Sequence, residues 1–379
     1  MKRLASAGLA LLAASACGDR GEADVGSNMT RREAAPMVQG APVRSETREF
    51  HGWTAVCDNG NDCAAYAQVN DFGSGWVIIK MAAGPEARPS VEIGTWSDEA
   101  TQGVDVAIDG RRLPLDQPAG WRDGDAAQAI ARDPVAFIAA LAQGSEMTLT
   151  PVGPNPQESG GPVSLRGTAA ALLWIDERQG RLGTTTALIR RGERPASSVP
   201  APPVLPVTVA ARLAPQDGLP NAAALPPALA ALPAVGRCRE ELSWRGDEAG
   251  QGQSVARLSD GRLLWTVLCF VGAYNTGNRF FITGADGANP EPVLLPEPRQ
   301  PGDAEGEPED RYVYINADYD PASGTIGAFS KGRGLGDCGS ASEWVWTGAA
   351  FELKGQSVMN DCAGMWNTLW PTTWRSRDL

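Results

Sequence analysis

The residues that could carry chemistry are few. Gly334-Leu-Gly-Asp-Cys-Gly339 spells G-x-G-x-x-G, a spacing that in a dinucleotide site lets a strand-to-helix turn approach a pyrophosphate. Here a cysteine occupies the motif, and Glu343-Trp-Val-Trp346 supplies strand alternation where a helix is required. The stretch therefore reads as a glycine-rich turn fixed by Cys338. Asp318-Tyr-Asp320-Pro-Ala-Ser-Gly324 starts like a calcium loop, but Ala322 and Phe329 stand where oxygen donors are needed, and it reads as a surface turn. His51 is the only imidazole, and neither G-x-S-x-G nor S-x-x-K occurs. The sequence points to no catalytic residue, cofactor or metal site. Two possibilities remain. Acidic residues number 45 with aspartate and glutamate together, and a pair flanking a cleft would serve a glycan hydrolase. Alternatively, Trp344, Trp346 and Trp366 beside Asp337 form an aromatic platform for a glycan or an envelope protein. Against the platform stands the plainer expectation that alternating tryptophans fill a core.

The elements that must position these residues are mainly strands. In 48–194, strands are expected at 50–57, 63–69, 75–81, 90–94, 104–108 and 147–151, closed by one at 183–191. Asp58-Asn-Gly-Asn-Asp62 provides the first chain reversal. Two short helices interrupt them: 134–142, with Asp133 as cap and Pro134 at its first position, and 165–177. Region 195–234 is Pro/Ala-rich; its first 39 residues, 195–233, hold ten of the 29 prolines. It reads as a linker, some of it packing along a domain surface. Beyond it, strands are expected at 238–245, 254–258, 263–271, 279–283, 311–317, 344–347, 350–353 and 366–374, with an acidic solvated loop at 297–310. Seven of the twelve tryptophans fall in this half. The architecture expected is mainly β and two-domain. A β-sandwich-like N-terminal domain with two short helices is joined by the linker to a C-terminal all-β, disulfide-stapled domain at 235–379.

Composition bounds the setting. The chain has 379 residues, 42% hydrophobic and 21% charged, and a net charge of −12. Such a balance suits a globular protein and argues against nucleic acid or an anionic lipid surface as partner, since phosphate binding needs clustered cations. Residues 1–16 carry Lys2-Arg3, an apolar run and small residues, the layout of a signal peptide. Ala14-Ser15-Ala16 fits an ordinary cleavage site. It also stands directly before Cys17, and the polar stretch to residue 47 suits a lipoprotein tether. Lipidation of Cys17 is favoured because it leaves six cysteines, an even number: Cys57, Cys63, Cys238, Cys269, Cys338 and Cys362. Proximity along the chain favours the pairs 57–63, 238–269 and 338–362.

Phe50-His-Gly-Trp-Thr-Ala-Val-Cys-Asp58, Ile175-Asp-Glu-Arg-Gln-Gly-Arg-Leu-Gly-Thr184 and Gly332-Arg-Gly-Leu-Gly-Asp-Cys-Gly339 resemble domain-of-unknown-function family 1176, bacterial envelope proteins with six cysteines. Gly52-Trp53-Thr-x-x-Cys57 and Gly160-Gly-Pro-Val-Ser-Leu165 also resemble invasion-associated locus B proteins, which are secreted or periplasmic. The resemblance implies compartment and architecture and supplies no catalytic residue. The reading is an exported, lipid-anchored envelope protein facing the periplasm, non-enzymatic, binding or structural. Its partner would be an envelope protein or cell-wall glycan, and its membrane contact only the lipid. A soluble periplasmic or secreted form is the alternative location, and a carboxylate-dependent glycan hydrolase the alternative function.

Overall fold

A computed structural model describes residues 44–69, 75–96, 103–117, 126–152, 160–244, 252–298, 310–362 and 364–378. The expected signal peptide, Cys17, nearly all of the expected tether and most of the acidic 297–310 stretch lie outside them. Residues Gly40–Leu379 form one compact unit, and it is mainly β, as the turn-and-alternation pattern leads one to expect.

The first half opens with β1 (Glu46–Phe50), β2 (Trp53–Cys57), β3 (Cys63–Gln68), β4 (Gly75–Met81) and β5 (Pro89–Trp96). Then come β6 (Gly103–Ile108), β7 (Arg111–Arg112), β8 (Leu115–Asp116), β9 (Ala126–Ala131), α1 (Pro134–Gln143), β10 (Glu146–Val152), β11 (Gly161–Ser164) and α2 (Thr168–Arg178). A seven-stranded sheet runs β1-β2-β3-β4-β5-β9-β8, and a four-stranded sheet runs β11-β10-β6-β7. The strand expected at 50–57 is in fact two, because His51 and Gly52 both take positive φ and turn the chain back. Asp133 caps α1 by accepting from the backbone N–H groups of Val135 and Ala136, and the helix buries Phe137, Ile138 and Leu141.

Strands β2–β4 explain the architecture. Trp53-Thr-Ala-Val-Cys57 is buried at every position, which a one-faced strand cannot be. Trp53, Ala55, Ala65, Val77 and Ile79 point into a core shared with the four-stranded sheet, α1 and α2. Their neighbours Val56, Ala64, Tyr66, Trp76 and Ile78 point the other way, into a core closed by Met359, Met365 and Trp370. The first sheet is thus covered on both faces, the outer one by residues from the far end of the chain.

The second half adds β12 (Val207–Thr208), α3 (Pro227–Ala230), α4 (Pro233–Glu241), β13 (Ser254–Arg257), β14 (Leu263–Val271) and β15 (Thr276–Thr283). It continues with β16 (Glu291–Pro292), β17 (Tyr314–Ile315), β18 (Asp318–Asp320), β19 (Thr325–Lys331), β20 (Gly339–Trp346), β21 (Phe351–Met359), β22 (Thr372–Arg375) and β23 (Arg377–Asp378). Five strands centred on β14 and β15 and five in the order β18-β19-β20-β21-β22 form its two main sheets. Leu264, Phe280, Ile326, Trp344 and Trp346 share the core of these strands.

Three local expectations are corrected. Region 238–245 is not a strand: Cys238 lies in α4, where Val235, Cys238 and Leu242 recur on one buried face. The C-terminal region is accordingly not purely β. Region 183–191 is a succession of turns, because Asp176 draws the backbone N–H groups of Leu188 and Ile189 inward. Region 366–374 is a single 3-10 turn (Asn367–Leu369) followed by β22. The proline-rich 195–234 segment follows the protein surface and is tied to it. β12 pairs in parallel with β23, and the Gln216 side chain bonds the Arg257 backbone on both sides. The disulfides are Cys57–Cys63, Cys238–Cys269 and Cys338–Cys362.

Candidate functional site

Antiparallel register places side chains in rows. Glu49 faces Thr54 across β1 and β2, and Thr54 faces Tyr66 across β2 and β3, so the three share the outer face of the first sheet. Gln68, two residues beyond Tyr66, shares it too. Over this row comes Asp361, 307 residues from Thr54 in sequence, whose Oδ2 accepts from Thr54 Oγ1 at 3.2 Å. Glu49, Thr54, Gln68 and Asp361, with Gly52, Trp53, Ala67, Pro162 and Ser164, line a pocket of about 340 Å³. That is within the range of small-molecule sites, about 300–1,000 Å³.

The lining is polar and mostly accepting. Glu49 and Asp361 contribute carboxylates. Gln68 Oε1 is buried with no hydrogen-bond partner among the described residues. The Tyr66 hydroxyl is held well above the ordinary tyrosine range, by burial first and then by the Asp361 charge. It stays protonated beside Thr54 and Asp361. Trp53 also lines the pocket and is fixed by its Nε1–H donating to the Ser164 carbonyl at 3.0 Å.

Asp361 is held from behind. Its neighbour Cys362 is bonded to Cys338, Arg333 pairs with Asp337, and Asp337 Oδ2 accepts the Gly364 N–H at 2.7 Å. Arg333 Nη2 also donates to the Cys362 carbonyl at 3.2 Å. The glycine-rich stretch is therefore a brace. Gly339, at φ 129°, brings its backbone so close to the Ser330 carbonyl that any Cβ would strike the oxygen. Metal-capable atoms of Asp337, Cys338 and Cys362 lie within 4.8 Å of one another, but the two sulfurs are bonded together and so spent as ligands.

The expected aromatic platform is not assembled. Trp344 and Trp346 are 1% and 3% exposed, their indole N–H groups spent on the Pro296 carbonyl and Ser259 Oγ. Both fill the second-half core because β20 alternates inward at these positions. Asp337 is buried beneath Arg333 and Gly364, and Trp366 is half-buried on the turn leading to the 3-10 helix. His51 is an exposed turn residue. The pocket residues Glu49, Thr54, Gln68 and Asp361 escaped sequence reasoning. The only signal was the unbroken apolar character of β2–β4, which announces a second covered face without saying what covers it.

The family described as Protein of unknown function (DUF1176) matches residues 47–377. The chain belongs to this family. Across the family's span lie both faces of the first sheet, all three disulfides and the Asp361 pocket. The chain is also similar to the uncharacterized protein YpfG of Escherichia coli (strain K12), at 29% identity over 354 residues, 90% of this chain and 95% of that one. Invasion associated protein B from Bartonella henselae shares 18% identity, with 36% of this chain and 99% of that one covered at a TM-score of 0.27. A likeness that slight carries no argument about fold or role.

Proposed function

We propose that this family member is an exported, lipid-anchored protein of the bacterial envelope that binds a hydroxyl-rich ligand, a cell-wall glycan, in the Asp361 pocket. One observation carries the ligand class. The pocket offers two carboxylates and the buried Gln68 carbonyl oxygen, which has no partner among the described residues, so a complementary ligand must bring O–H or N–H donors. Glycan hydroxyls do. Export is supported by the Lys2-Arg3 leader, the Cys17 position and three intramolecular disulfides, which suit an oxidising compartment.

Binding of soluble peptidoglycan fragments, measured by calorimetry, tests the site. Gln68→Leu and Asp361→Asn are each expected to weaken it about tenfold, the loss of about 1.4 kcal/mol for one hydrogen bond. Undiminished affinity in both variants would remove the pocket from the argument. The anchor is tested separately: the full chain is expected to partition into detergent and Cys17→Ser into the aqueous phase. A second reading, a carboxylate-dependent glycan hydrolase, is favoured by Glu49 and Asp361 lining one pocket. New reducing ends released by the wild type and lost in Glu49→Gln would establish it in place of binding.

A further inference from the structure

A second cavity, of about 630 Å³, lies away from the glycan pocket, between the 85–89 turn, the start of α1 and the 185–196 turns. Three arginines line it, Arg88, Arg132 and Arg191, in a chain whose net charge is −12. Their side-chain hydrogen bonding is unequal. Arg132 is committed, its Nε to Asp116 at 2.8 Å and its Nη2 to the Leu115 carbonyl. Arg191 spends only Nε, on the Ala187 carbonyl at 2.9 Å, and its two terminal nitrogens are unspent among the described residues. Arg88 is exposed and makes no hydrogen bond or ion pair among the described residues. Of the two carboxylates in the lining, Asp133 is occupied in capping α1 through the Val135 and Ala136 N–H groups, and Glu86 stands exposed at the rim.

The loops around the cavity are pinned from within the protein. Arg181 is fully buried and ties the two loops that form the walls to one guanidinium. Its Nη2 donates to the carbonyls of Ala82 and Gly84 at 2.9 and 2.6 Å, at the root of the 85–89 turn. Its Nη1 donates to Thr186 Oγ1 at 3.1 Å, and Thr186 lines the cavity. Nε is held by Gln179 Oε1 at 2.6 Å. Asp176, also fully buried, fixes Leu188 and Ile189 just before Arg191. Loops pinned in this way fix the backbone from which Arg88 and Arg191 project before any ligand arrives. Clustered guanidinium groups repel one another unless an anion sits between them. Pro85, Ala87, Pro89, Pro134, Val135 and Ala196 supply an apolar wall beside them.

We propose that this cavity binds a small oxyanion carried on an apolar body, through the guanidinium groups of Arg88 and Arg191. Planar guanidinium forks match carboxylate and phosphate oxygens, and the apolar wall takes up the body of the ligand. The site is separate from the glycan pocket and does not depend on it.

Calorimetric titration of the whole chain with benzoate and with inorganic phosphate tests the assignment. Saturable one-to-one binding is expected for both, tighter for benzoate because it alone uses the apolar wall. Arg88→Ala and Arg191→Ala are each expected to weaken binding about tenfold, by loss of one charge-assisted contact. Arg111→Ala, on exposed β7 and outside the cavity, is the control and should leave binding unchanged. Absence of saturable heat with both probes would overturn the proposal. So would equal weakening by Arg111→Ala, which would mark a diffuse charge effect, or full affinity in both Arg88→Ala and Arg191→Ala.

Discussion

Arg375→Ala tests how the far end of the chain is fastened to the first sheet. Arg375 ends β22, and its Nε lies 2.6 Å from Asp58 Oδ2 and its Nη2 2.8 Å from Asp62 Oδ2. Asn59 reinforces the junction, its amide bonding the Arg375 carbonyl at 2.8 Å and its oxygen accepting the Arg375 N–H at 2.9 Å. Asp58 is 1% exposed, so truncating the arginine strands a buried carboxylate, a change that costs about 3–5 kcal/mol in a fully buried pair. Two features lower the figure here. Arg375 is 35% exposed, so water screens its charge. Asp58 Oδ1 also keeps the Gly60 and Asp62 N–H groups, each at 2.8 Å. A loss of about 2 kcal/mol is expected.

The pH dependence has a definite sign. Burial, the largest influence, holds the Asp58 carboxyl above its usual range, and Arg375 opposes that rise. In the window between the unfolded and folded pKa values the native state binds the extra proton, so stability falls as pH rises through it. Without Arg375 the folded value moves higher and the window widens upward. Urea unfolding followed by tryptophan fluorescence should therefore show a larger loss at pH 8 than at pH 5. A loss below about 0.5 kcal/mol at both pH values, or a larger loss in acid, would refute the reasoning.

Removing both Cys338 and Cys362 as alanines opens a bridge of sequence separation 24 and is expected to cost about 2–5 kcal/mol in urea unfolding; an unchanged midpoint would show that the Arg333–Asp337 pair braces the loop alone. Alkaline titration of phenolate absorbance should find Tyr66, Tyr314 and Tyr319 ionising late, all three raised chiefly by burial and Tyr314 pushed up to about 12. The neutral forms favour the fold, so stability is lost as pH rises through those values. Ionisation of all five tyrosines together at the ordinary phenol value would contradict it.

Local features were legible in the sequence because local chemistry decides them. Asp58-Asn-Gly-Asn-Asp62 had to turn, Asp133-Pro134 had to start a helix, and each disulfide joins cysteines that are neighbours along the chain. Cys238 misled because a short stretch with few apolar residues gives little period, and packing of α4 on β14 decided the matter. Trp344 and Trp346 have the alternation of a strand, and alternation does not tell a core face from a binding face. The pocket was illegible for a different reason. Its decisive contact joins Thr54 to Asp361 across most of the chain, and no pattern near either residue points to the other.

The first sheet's two-sided burial sets an order for assembly. Once α2 is complete at Arg178, the inner face can close against α1, α2 and the four-stranded sheet. The outer face, with Val56, Tyr66, Trp76 and Ile78, must wait for Met359, Met365 and Trp370. Those residues lie about 180 positions further along the chain. Without them a broad aromatic and aliphatic surface of the sheet would stand bare. The last twenty or so residues therefore act as the clasp of the molecule, and a chain cut short before them would display a surface that invites aggregation.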